Sequence, residues 1–181
     1  MKYVIRVVLL IAIAVLAYLT YNSIAEPVRY AKQVEKNEQL VIDKLSVIRD
    51  AQVAFRQENN RFTASFDTLI DFMQNGKMKI IVQYGSEDDS TTVYRTEEEF
   101  IPIKDSLFKD VDIENIRYVP LLDDKTEFIM NAKTIVSNNA TVPVFEVIDP
   151  QPFSRERKAE NNPLKVGSIV EVNYRGNWKR R

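Results

Sequence analysis

The sequence predicts an α+β fold in which a long N-terminal helix, transmembrane and then amphipathic, packs on a small, mainly antiparallel sheet. Three observations predict it. Val7 to Ala25 carries no charge. Val34, Val41, Ile48 and Phe55 recur every seven residues in a stretch without Gly or Pro. After Gly76 the pattern shortens to strand-like runs separated by polar turns. Helices followed by strands on short connections make an α+β arrangement.

The first element begins with Lys2 and Arg6, then turns apolar. About 20 residues at 1.5 Å rise cross the ~30 Å hydrocarbon core of a bilayer. A helix satisfies its own backbone there, which lipid cannot do. Basic residues ahead of the span favour a cytoplasmic N-terminus. Tyr18 and Tyr21 suit the far membrane interface. One alternative is a cleavable signal peptide, with Val7 to Leu19 as its apolar region and Ser23-Ile24-Ala25 as small residues at the cleavage spacing; the other is a buried core helix, disfavoured because no charge interrupts the run. The anchor is favoured because the apolar run is long for a signal peptide and leads into a helical pattern after Pro27.

Pro27 is expected to mark the emergence from lipid and to kink or briefly break the helix. From Val28 to about Glu58 the residues are strong helix formers. Leu45 and Ala51 join the seven-residue repeat on one face, which gives an amphipathic stripe. A coiled coil would also need apolar residues at Asn37, Lys44 and Glu58, so the stripe is expected to pack on its own domain. Val28 to Glu38, with Arg29, Lys32, Glu35, Lys36 and Glu38, reads as a solvated stalk. The chain is therefore expected to divide into a cytoplasmic end and transmembrane anchor over 1–27, a helical stalk over 28–40, and an exported α+β domain over 41–181.

Asn59-Asn60 ends the helix. Thr63 or Ser65 caps a second, short helix over Phe66 to Gln74, with Asp67 in its first turn, and Gly76 stops it. Strands are expected over Met78–Tyr84, Thr91–Thr96, Ile113–Leu122, Phe128–Ile135, Val142–Ile148 and Val166–Tyr174. Gly85–Ser90, Asp123-Asp124-Lys125 and Ser137-Asn138-Asn139 read as turns, and Pro150–Pro163 as a loop.

Of 181 residues, those beyond the anchor suffice for one domain with a modest core. The net charge of -1, from 25 basic and 26 acidic residues, leaves no basic patch to neutralise phosphates, so nucleic acid is not an expected partner. The C-terminal Lys179-Arg180-Arg181 reads as a solvated end. With no cysteine there is no disulfide scaffold, thiolate zinc site or thiol nucleophile. With no histidine, the commonest general base and metal ligand are missing too. Gly76, Gly85, Gly167 and Gly176 are too dispersed for a phosphate-cradling loop.

The remaining candidates each have a plain structural explanation. Glu97-Glu98-Glu99 is expected on a solvated loop or edge strand rather than around a cation. Asp110, Asp112 and Glu114 have the spacing that opens a calcium loop. Asn115 stands where its turn glycine would be and Leu121 where its closing glutamate would be, so one polar face of a strand is expected instead. Asn139-Ala140-Thr141 matches a glycosylation triplet of a kind that arises by chance. Trp178 is expected to cover the core. No spacing unites a nucleophile with a base. No catalytic, cofactor-binding or metal-binding residue is expected, and no enzymatic activity or cofactor.

The segment Ile48 to Phe62, with Phe55, Asn59-Asn60, Arg61 and Phe62 at its end, and its continuation to Leu69 resemble type IV pilins and pseudopilins. The resemblance covers about a third of the chain. It implies one hydrophobic N-terminal helix running into an amphipathic half on an antiparallel sheet. Met1 to Arg6 has no glycine and no acid precedes Glu26, where those families carry a glycine cleavage site and an early acidic residue. The whole chain, including Glu26-Pro27-Val28, Leu164 to Ser168 and Gly176-Asn177-Trp178, is similar to small single-span bacterial envelope proteins. What these resemblances imply is a single-pass inner-membrane protein with its C-terminal domain in the periplasm. The expected role is a non-enzymatic structural or scaffolding subunit of an envelope assembly, whose partners are the lipid bilayer and another protein or further copies of itself. The alternative is a periplasmic ligand- or protein-binding module, anchored or released by signal-peptide cleavage. A pocket lined by Tyr84, Tyr94 or Tyr118 would favour the alternative. A flat apolar patch along Val34–Val41 would favour the structural role.

Overall fold

The computed structural model describes residues 2–84 and 95–178. The chain divides into two compact units, Met1–Leu40 and Val41–Arg181. Helix α1 (Lys2–Asn59) makes up the described part of the first unit and is the first element of the second. Pro27 lies inside α1, and of the two effects expected of it, a kink or a brief break, the break does not occur. Its ring removes one i→i−4 bond, and the helix formers from Val28 onward carry the helix through.

In the second unit, α1 buries Val41, Leu45, Ile48, Ala51, Gln52, Ala54 and Phe55. Steps of three and four residues place them on one face. The helix ends where Asn60 takes a left-handed conformation (φ 55), its amide donating to the Arg56 carbonyl at 2.8 Å. Helix α2 (Phe66–Asn75) starts at Ser65, whose hydroxyl accepts from the Thr68 amide at 3.4 Å. Gly76 follows in an extended conformation (φ -67), which sends the chain directly into a strand. Phe55 and Phe72 meet edge to face at 5.1 Å, and Phe62, Phe66, Leu69 and Met73 complete the helical side of the core.

Strands β1 (Lys77–Tyr84) and β2 (Arg95–Pro102) form a two-stranded antiparallel ribbon, from Lys77 opposite Pro102 to Tyr84 opposite Arg95. A short helix α3 (Ile103–Leu107) follows, with Ile103 fully buried. Strands β3 (Ile129–Ser137), β4 (Ala140–Ile148) and β5 (Lys165–Gly167) form a three-stranded antiparallel sheet in the order β3-β4-β5. Asn138 and Asn139, at φ 50 and 60, make the two-residue turn between β3 and β4. Val144, Phe145 and Val147 of β4 and Val166 of β5 are fully buried. The α+β architecture read from the sequence is present: a long N-terminal helix with small antiparallel sheets.

Several expected elements differ. Gly85–Ser90 and Thr91–Tyr94 lie outside the described residues, and β2 starts at Arg95 and runs on to Pro102. Ile113–Leu122 is not a strand. Its buried residues Ile113, Ile116 and Val119 recur every three residues, and the amides of Ile116 and Tyr118 bond back to the carbonyls of Ile113 and Asn115. Only Tyr118 pairs in strand fashion, with Glu127. The last strand is three residues rather than Val166–Tyr174. The Ser168 hydroxyl accepts from the amides of Val170 and Glu171 at 3.2 and 3.3 Å and turns the chain away. The loop Pro150–Pro163 contains a short helix, α4 (Arg155–Ala159), capped by Ser154.

The C-terminal segment is held on the core by an aromatic clasp. Tyr174 stacks near Phe145 (6.0 Å between centroids) and leans on Phe62 (5.3 Å). Arg56 lies 5.5 Å from both the Phe62 and Tyr174 rings and donates to the Tyr174 hydroxyl at 3.1 Å. That hydroxyl in turn donates to the Pro143 carbonyl at 3.1 Å. Gly167 takes φ 78, and a Cβ there would collide with the Phe145 carbonyl, so the position admits only glycine. Trp178 packs against the core with its ring over Gly176.

Candidate functional site

The feature with the clearest functional chemistry is the apolar stretch of α1. Between Val4 and Ile24 its large apolar side chains are exposed all the way round, from 51% at Val15 to 66% at Leu10. A water-facing helix buries an apolar stripe and shows a polar face. This segment has neither. Thr20 donates its hydroxyl to the Leu16 carbonyl at 2.8 Å, which satisfies that polar group inside the helix. At the N-terminal end, the Arg6 guanidinium lies 5.9 Å from the Tyr3 ring. Tyr18 and Tyr21 are exposed near the other end. The helix is long and apolar enough to cross a membrane.

The second unit carries ordered polar groups of a different kind. Gln52 is fully buried. Its amide nitrogen donates to the Thr63 carbonyl at 2.7 Å and its amide oxygen accepts from the Thr63 amide at 3.1 Å, which pins the chain after α1 against the helix. The Lys44 ammonium donates to the carbonyls of Asn115 and Tyr118 at 2.8 and 2.9 Å. Burial pushes the Lys44 pKa down from its ordinary value, and the nearby Asp112 carboxylate partly offsets this. Arg117 pairs with Asp67 at the start of α2 and lies 3.5 Å from Glu127. Its hydrogen bond to Asp67 raises its pKa further.

An open groove of about 680 Å³ runs between Arg49 and the segment Glu171–Arg175. Several polar groups along it have neighbouring partners. Arg49 meets Asp50 at 2.8 Å, Asn173 donates to Glu171 at 3.2 Å, and the Arg175 amide donates to the Asn173 side chain at 2.9 Å. Among its described lining residues no nucleophile lies beside a base.

The structure scatters the sequence-predicted candidates. Glu98 and Glu99 sit exposed on β2; the side chain of Glu97 lies outside the described residues. Asp112 accepts from the Asn115 amide and side chain at 3.4 and 2.8 Å, closing a turn, while Asp110 and Glu114 face solvent. Among the described residues no three acids converge on a metal-sized site. Asp124 accepts from the Thr126 hydroxyl at 2.7 Å, a bond that lowers its pKa. Tyr118 is half-buried in its pairing with Glu127, whereas Tyr94, the Tyr84 side chain and Lys179-Arg180-Arg181 lie outside the described residues. Asn139 is on the exposed hairpin turn.

Reading the sequence missed Gln52, Lys44 and the Arg56–Tyr174 clasp. For Gln52 a signal existed, because it falls between Ile48 and Phe55 on the buried face, where a polar residue needs an internal partner. The other two depend on contacts far apart in sequence. Comparison with known protein families, curated proteins and solved structures finds no match.

Proposed function

We propose that this chain is a non-enzymatic, single-pass membrane protein of the bacterial envelope, a structural or scaffolding subunit of pilin-like architecture. Residues 1–27 form its cytoplasmic end and anchor, and its folded domain stands in the periplasm. The observation that carries the reading is the α1 segment whose apolar side chains are exposed on every side over a bilayer's length. Within the groove the Asn173 side chain is taken up by Glu171 and the Arg175 amide, which supports a structural role for that segment.

Orientation rests on Lys2 and Arg6, and Arg29, Lys32 and Lys36 soon after the span weigh the other way. Protease accessibility in spheroplasts decides it. Degradation of the domain from outside is the expected result, and protection until lysis would invert the orientation. The assembly role is tested by crosslinking in intact membranes. Recovery of the chain in a defined higher-mass complex is expected. A chain that stays monomeric throughout would remove the scaffolding role.

A further inference from the structure

Three cations follow the apolar run on one side of α1. Arg29, Lys32 and Lys36 are exposed, and no salt bridge or hydrogen bond engages them among the described residues. At about 100° per residue they fall within about 60° of one another. The acids of the same stretch, Glu26, Glu35 and Glu38, stand roughly 90° or more from the middle of that stripe. The stripe keeps a fixed register with the span, because α1 runs unbroken through Pro27. Its height fits as well. With Val7–Ala25 in the hydrocarbon core, the α-carbons of Arg29, Lys32 and Lys36 stand about 6, 10 and 16 Å beyond it at 1.5 Å rise per residue. The headgroup layer there is about 5–8 Å thick. Helix side chains lean toward the N-terminus, so these three reach back toward the bilayer rather than away from it. The long stems of Arg29 and Lys32 bring their charges into the headgroup layer. Lys36 acts on it from about a screening length away.

We infer that Arg29, Lys32 and Lys36 bind the phosphates of anionic lipid headgroups and hold such lipids on one side of the anchor. The inference rests on the anchor reading. It needs neither the orientation nor the scaffolding role, since both leaflets of a bilayer present phosphates. A phosphate at the stripe meets the cations without displacing a protein partner. Each cation near an anionic surface favours it by enough for roughly a five-fold enrichment. An acidic protein segment would also suit the charges, but the seat of the stripe against the bilayer favours lipid. The stripe also accounts for basic residues at the end of the span opposite Lys2 and Arg6, where orientation does not call for them.

Asn22 lies about two turns below Arg29 on the same side, at the depth of the upper acyl chains, and Ile24 lies about 160° around the helix from it. The chain has no cysteine, so Asn22→Cys and Ile24→Cys in the full-length protein each carry a single dye. Both are reconstituted in phosphatidylcholine vesicles with a small, equal fraction of phosphatidylglycerol or phosphatidylcholine bearing a nitroxide on the upper acyl chain. Phosphatidylglycerol should quench the Asn22→Cys dye as though enriched roughly five-fold over phosphatidylcholine. The excess should be absent at Ile24→Cys. It should vanish when Arg29→Gln, Lys32→Gln and Lys36→Gln are added, and shrink in about 1 M salt, where screening acts within about 3 Å. Lys2→Gln with Arg6→Gln, at the other end of the span, should leave it unchanged. Equal quenching by the two lipids at Asn22→Cys would overturn the inference. So would an excess that survives the three substitutions, or one as large at Ile24→Cys, which would be a diffuse surface potential and not a stripe. Flotation of the same vesicles after an alkaline wash keeps the two claims apart. Protein that floats with phosphatidylcholine yet shows no excess leaves the anchor and removes the lipid stripe, and protein that does not float removes both.

Discussion

Residues 2–40 and 41–59 lie on the same helix, α1, and differ in what their side chains meet. The earlier part buries no residue fully: its large apolar side chains from Val4 to Ile24 are exposed all round, and Ala25 and Val34 are half-buried. The later part buries Val41, Leu45, Ile48, Ala51 and Phe55 along one face and leaves Asp43, Asp50 and Glu58 exposed. Helix propensity is permissive in both. The difference is how the apolar side chains are distributed around the helix. All-round apolar surface suits lipid, where no polar face is wanted, whereas a single stripe suits a water-soluble core. Local helix formation therefore says little about function here, and the angular distribution of apolar residues says most of it.

The largest effect expected is in the later part. Phe55→Ala in the full-length protein in detergent should destabilise the domain by about 3–5 kcal/mol and lower its melting temperature by roughly 10 °C. Val34→Ala, in the earlier part, should stay within about 0.5 kcal/mol of the parent. Equal small losses at both positions, accompanied by loss of association, would show that the stripe faces a partner rather than a core.

Next comes a change in the earlier part that should leave the domain untouched. Leu16→Arg puts a charge at the middle of the apolar run, with a penalty of about 2.5–3.5 kcal/mol for insertion. Extraction of membranes with alkaline carbonate should release a fraction of the Leu16→Arg protein and none of Leu16→Ala. Full retention of both would mean that something other than the apolar run holds the protein to the membrane.

The same distinction explains what was legible in the sequence. Elements whose burial follows a simple period could be read: the α1 stripe, α2 with its Ser65 cap, and the β3–β4 hairpin turning at Asn138-Asn139. Ile113–Leu122 was misread because its apolar residues face the core from successive turns, a spacing of three that local inspection takes for a strand. Val166–Tyr174 alternates well enough, yet one hydroxyl on Ser168 captures the two amides that would have continued the ladder. The short helix α4 had its signal in Ser154, a capping residue hidden in a Pro-rich stretch. No catalytic constellation was read from the sequence. The polar residues that matter most, Gln52 and Lys44, satisfy backbone groups elsewhere in the chain, and such partners are invisible locally.

A third measurement addresses that hidden polarity. Gln52→Leu keeps the shape of the buried stripe but strips both partners from the Thr63 backbone. Leaving those part-buried groups unmatched should cost about 1–3 kcal/mol, less than Phe55→Ala and more than Val34→Ala. A neutral result in the melt would mean that water replaces the side chain, and that the segment after α1 is held by Phe62 and Phe66 alone.

The smallest effect is a pH dependence confined to the later part of α1. Burial lowers the Lys44 pKa from its ordinary value of 10.5, so the folded chain releases this proton more readily than the unfolded chain does. Between the lowered folded value and 10.5 the unfolded state binds more protons. Stability then rises with pH across that window, and the burial penalty is felt below it. The Asn115 and Tyr118 carbonyls accept from the ammonium and Asp112 favours its charge, both of which keep the contribution small. Lys44→Met should lose that upward contribution in urea titrations run from pH 8 to 10.5, besides a uniform loss from the two abandoned carbonyls. Lys36→Met, on the exposed earlier part, removes the same formal charge and serves as the reference. The difference in slope between the two variants isolates Lys44. Identical slopes would mean that the ammonium is as well solvated in the folded chain as in the unfolded one, and that the two parts of α1 differ in apolar burial alone.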